Sequence, residues 1–80
     1  MQQHVRDSMM AQLLVLQARV AYRQTRIQSG FYKTREVYHG TKMLPENRLT
    51  EDELLRQEFS TMEAHIHQMQ EIQESFLEDE

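Results

Sequence analysis

The stretch Met9–Ala21, MMAQLLVLQARVA, limits what this chain can become. Wound as a helix at roughly 100° per residue, it carries more apolar surface than one partner helix covers. Val5, Met9, Leu13, Leu16, Val20 and Ile27 fall on one stripe. Met10, Leu14, Ala18 and Ala21 fall on a second stripe beside it, with Gln17 between the two. Together the stripes cover roughly 220° of the helix, against about 100° for an ordinary surface helix. The remaining sequence offers one other long helix. The second stripe is therefore expected to be buried against another molecule.

Length makes the same demand. A chain of 80 residues is read as a single domain, 1–80, which buries only about 60–65% of its unfolded surface. Small domains offset that deficit with disulfides, a metal or oligomerisation. There is no cysteine, which removes disulfides and zinc–thiolate sites. The four histidines are scattered. His65 and His67 are two apart on a helix and point away from each other. No metal or other cofactor is expected, and oligomerisation is left.

The chain is electrically split. Residues 1–49 hold eight basic and three acidic side chains, and residues 50–80 hold one basic and ten acidic, so the halves carry +5 and −9. Such halves attract each other. The opening MQQHVRDS contains Arg6 and Asp7, and the apolar run after it is broken by Gln12 and Gln17. This reads neither as a signal peptide nor as a membrane span, and a cytoplasmic location is expected.

The pattern predicts an all-α or mainly α fold. A first helix is expected over 3–28, a connector over 29–49 and a second helix over 50–77. Ser29-Gly30 supplies the first stop, with Gly30 as a left-handed cap. Thr50 and Glu53 form a capping box, and Leu49 and Leu54 the matching hydrophobic staple. Beyond them Leu55, Phe59, Met62, Ile66, Met69, Gln73 and Phe76 alternate by four and three, a heptad seam. Glu58, Glu63, His67, Gln70, Glu71 and Glu74 lie off that seam and read as a solvated face. Two long helices and one connector are expected to form an antiparallel coiled-coil hairpin, with Arg19–Arg26 beside Glu51–Glu58. Two such hairpins would complete a four-helix bundle.

The connector is longer than the 2–8 residues common between bundled helices, so internal structure is expected. Tyr38-His39-Gly40-Thr41 suits a tight β-hairpin turn, pairing Arg35–Tyr38 with Thr41–Leu44. A short helix over Phe31–Tyr38 is the competing expectation.

No serine or threonine sits in a nucleophile elbow, and two glycines make no phosphate loop. The chain reads as a non-enzyme: a protein–protein interaction module (adaptor, assembly chaperone or regulator) that oligomerises through the first helix. Its partner is another protein or a second copy of itself, contacted by Met10, Leu14, Gln17, Ala18 and Ala21. The alternative is a phage- or plasmid-type nucleic-acid-binding regulator. It would use the basic segment 19–42, through Arg19, Arg23, Arg26, Lys33, Arg35 and Lys42, with Phe31, Tyr32 and Tyr38 among the cations. The helix–connector–helix layout resembles that of the β-type prefoldin subunits and of some small phage head-joining proteins. The resemblance is one of outline and implies no site.

Overall fold

The computed structural model describes residues 2–78. It is mainly helical: α1 spans Gln3–Gln28 and α2 spans Glu51–Glu78. The two pack together along their lengths. Arg23 meets Glu58 and Arg6 lies over Phe76, so they run in opposite directions, which fits a helical hairpin. The molecule measures 54 × 25 × 17 Å. It is one helix thick.

α1 ends where the sequence supplies a stop. The Ser29 amide donates to the Thr25 carbonyl at 2.9 Å, and Gly30 takes φ 74°. That left-handed geometry costs a residue with a Cβ about 1 kcal/mol or more. The start of α2 is held by the capping box. The Glu53 amide donates to Thr50 Oγ1 at 3.1 Å, and the Thr50 amide donates to Glu53 Oε1 at 3.3 Å. Those hydrogen bonds, with His39 nearby, hold the Glu53 carboxyl below its ordinary range.

The connector departs from both expectations. Among the described residues there is no strand and no tight hairpin at Tyr38–Thr41. Phe31–Lys33 and Pro45–Asn47 are single 3-10 turns, so the helix over Phe31–Tyr38 is cut to its first turn. Tyr38 forms an isolated antiparallel bridge with Arg48, not with Thr41. The His39 amide donates to the Asn47 carbonyl and the Leu49 amide to the Val37 carbonyl, each at 2.8 Å. The chain thus closes around a wider loop. Pro45 explains part of this. Its fixed φ suits the first position of a turn, and it has no N–H to offer a strand ladder.

The core has two parts. Tyr32, Leu49 and Leu54 are buried together, with Ile27, Phe31, Val37 and Leu55 packed around them. The connector therefore closes over the end of the helix pair. Between the helices, Leu13 and Leu16 of α1 and Met62 of α2 are buried. Burying each such side chain contributes about 1.5–3 kcal/mol. Met9, Val20 and Ile27 are half-buried on the same stripe, while Val5 at its end is exposed.

The expected seam of α2 is rotated in the structure. Leu54, Glu58 and Met62 face inward, whereas Phe59 and Ile66 are 53% and 41% exposed. The cause is the staple. Leu54 must reach Leu49 and Tyr32, and once it points inward so do the residues four and seven or eight further on. This turns α2 by roughly 50° from a seam through Phe59 and Ile66. It also corrects the reading of Glu58 as solvated.

Candidate interaction surface

Glu58 is 6% exposed. Its Oε2 accepts a hydrogen bond from Arg23 Nη1 at 2.9 Å. Among the described residues its Oε1 accepts no well-formed hydrogen bond, and the Tyr32 hydroxyl beside Glu58 makes none either. Burial, together with the Glu58 carboxylate beside it, raises the Tyr32 phenol above its ordinary pKa of 10.0. A carboxylate this deep needs a counter-charge. Arg23 supplies it from the opposing helix and so fixes the register.

The other cations of the basic segment have separate surroundings. The Arg26 guanidinium lies 4.3 Å from the Phe31 ring centroid and near the rings of Tyr22 and Tyr32. Arg35 stacks over Phe31 at 4.7 Å. These cation–π contacts each contribute about 0.5–1 kcal/mol at exposed sites. Arg19 is on another face, in a groove with Ser8, Gln12 and Gln68. Lys33 and Lys42 are exposed on the connector. The structure therefore gathers Arg23, Arg26 and Arg35 around Phe31 and Tyr32, and leaves Arg19, Lys33 and Lys42 apart from them.

The second stripe of α1 is open. Leu14 is 59% exposed and Met10 46% exposed. Gln17, Ala18 and Ala21 are exposed around them. Val15 and Tyr22 are also exposed, but Val15 lines the groove that holds Arg19 on the other face and Tyr22 lies near Arg26. The consequence of the rotation in α2 is a further row, with Phe59, Ile66 and Leu77 all exposed. Its signal was present in sequence, because the Leu49–Leu54 staple draws Leu54 inward and so turns Phe59 outward.

No family model, curated protein or solved structure matches this chain. Among the described residues, no helix is long and apolar enough to cross a membrane. Among the same residues, no group of three metal-binding side chains converges.

Proposed function

We infer that this chain is a small non-enzymatic protein–protein interaction module, an adaptor, assembly chaperone or regulator, that oligomerises through α1. In the assembled form two coiled-coil hairpins make a four-helix bundle, in a cytoplasmic setting. The observation that carries this reading is Leu14. A leucine in the middle of a 26-residue helix is more than half exposed, with Met10 beside it and small alanines after it. Scattered apolar residues need no explanation, but a contiguous uncharged patch does. Ala18 and Ala21 permit another helix to approach closely.

Sedimentation of the wild type against Leu14→Asp tests the reading. Leu14 makes little contact within its own chain, so the variant is expected to keep its helicity and lose its assembly or its partner. Unchanged assembly with unchanged partner binding would refute it.

Nucleic-acid binding is the second reading, favoured by Arg26 and Arg35 beside Phe31. Neither has a carboxylate within 4.0 Å among the described residues. Phosphate binding would show as a mobility shift of DNA or RNA that collapses steeply with salt. No shift at low salt removes this alternative.

A further inference from the structure

The open row on α2 and the open stripe on α1 lie on the same side of the molecule. Viewed down α1 from its N-terminus, successive residues advance clockwise by about 100°. α2 runs toward the viewer, so its residues advance counterclockwise. Met10, Leu14, Gln17 and Ala21 sit roughly 80–140° clockwise from the line joining the helices. Phe59, Ile66 and Leu77 sit roughly 80–100° counterclockwise from that line on α2. In an antiparallel pair these opposite turns lead to one flat side. Arg23–Glu58 and Arg6–Phe76 set the levels and put Ile66 opposite the midpoint of the α1 stripe.

The area of this side matches what a dimer needs. The chain exposes 6243 Å², whereas a compact monomer of 9.7 kDa exposes about 5,100 Å². The excess, roughly 1,100 Å², exceeds the ~800 Å² that each partner buries in a standard interface. The radius of gyration is 17.3 Å, against about 12 Å for a compact domain of this length. A shape that is half of something accounts for both.

Charge gives the orientation. Residues 19–58, at the connector end, carry +2, and residues 2–12 with 68–78, at the open end, carry −3. Stacking like ends opposes these charges, and stacking unlike ends matches them.

We propose that a second copy of this chain docks on the flat side formed jointly by α1 and α2, end to end in reverse, about a twofold axis that passes beside Ile66. This rests on the α1 reading and the bundle above and adds the second helix, the register and the orientation. Each helix then meets its own copy antiparallel. Met10 faces Ala21 of the second copy, large against small, and Leu14 faces Gln17. Ile66 meets Ile66, and Phe59 faces Gln73. The interface is isologous, as a closed dimer requires.

The absence of native cysteine gives a clean test. At about 100 μM, above the micromolar dissociation constants at the weak end for interfaces of this size, the wild type is expected to sediment at twice the chain mass. Ile66→Asp is expected to sediment as a monomer. Ile66→Cys, mildly oxidised, is expected to form an intermolecular disulfide. Ala64→Cys, on the other side of α2, is expected to stay unlinked. Cross-linking needs no destabilising substitution, so it stands even if Ile66→Asp fails to fold. A monomeric wild type overturns self-docking and the two-hairpin bundle with it, leaving only the contact of α1 with another protein to its own test. Dissociation by Leu14→Asp but not by Ile66→Asp keeps the α1 reading and removes α2 from the interface. A dimer whose Ile66→Cys form does not cross-link overturns the reversed orientation, because stacking like ends sets the two Ile66 residues on opposite diagonals.

Discussion

Arg23 and Glu58 differ in depth, and that difference predicts unequal losses from the two halves of one ion pair. Glu58 is 8% exposed in its side chain and Arg23 28%. Arg23→Met leaves a carboxylate in place, buried, without its counter-charge. Stripping one partner from a wholly buried pair costs about 3–5 kcal/mol. Partial access of water on the Arg23 side lowers this to about 2–4 kcal/mol. Glu58→Leu instead removes the costly charge and leaves a guanidinium that can turn toward solvent. Its loss is about 0–1 kcal/mol. The double variant Arg23→Met/Glu58→Leu is expected within about 1 kcal/mol of wild type, so the double-mutant cycle returns a coupling of about 3 kcal/mol. For a domain of this size 1 kcal/mol moves Tm by about 4–8 °C. Arg23→Met should therefore melt at least about 8 °C below wild type while Glu58→Leu stays close to it. Thermal and urea denaturation followed by far-UV circular dichroism will show this, at one fixed protein concentration because assembly adds to apparent stability. Equal losses that simply add would refute the argument, since the pair would then be neither deep nor coupled.

The capping box of α2 predicts that Thr50→Ala lowers stability by about 1 kcal/mol, measured by urea denaturation. The lowered Glu53 pKa predicts an acid dependence. The folded state releases this proton more readily than the unfolded chain, whose carboxyl titrates near 4.5. The resulting stability is present above that pH and is lost as pH falls through the lower folded value. The lead of wild type over Glu53→Gln in Tm is therefore expected to shrink between about pH 6 and about pH 3. At Gly30, with φ 74°, an added Cβ would meet the Lys33 side chain at an ordinary 3.5 Å. Gly30→Ala should consequently cost only the backbone term, about 1 kcal/mol in the same denaturation assay.

Elements with a local cause were legible in the sequence. The Gly30 stop and the Thr50–Glu53 box depend on side chains a few residues apart, and each is formed as its local chemistry dictates. The mainly helical character followed from long periodic segments in the same way. The rotation of α2 was harder. A seam through Leu55, Phe59 and Ile66 and another through Leu54 and Glu58 share Met62, Met69 and Phe76, and they are nearly equal by apolar count. The choice was made by the connector, which draws Leu54 into contact with Tyr32 and Leu49. The Leu49–Leu54 staple held that information, although the seam reading passed over it. The burial of Glu58 was hidden for a different reason. A carboxylate on a charged helix looks solvated until the chain is known to bring Arg23 against it. The connector failed at Gly40, whose positive φ of 69° suits a tight turn and equally a wide one. The candidate surface was half legible, since α1's surplus shows in its own sequence but α2's row exists only after the rotation.

A body 17 Å thick has two broad skins with only a thin core between them. Among the described residues no large side chain is fully shielded, so the separate chain keeps even its core close to water. Deuterium uptake by the amides of α1 is accordingly expected to fall as the protein is concentrated, which makes isotope exchange a direct gauge of how much of the molecule has found its cover.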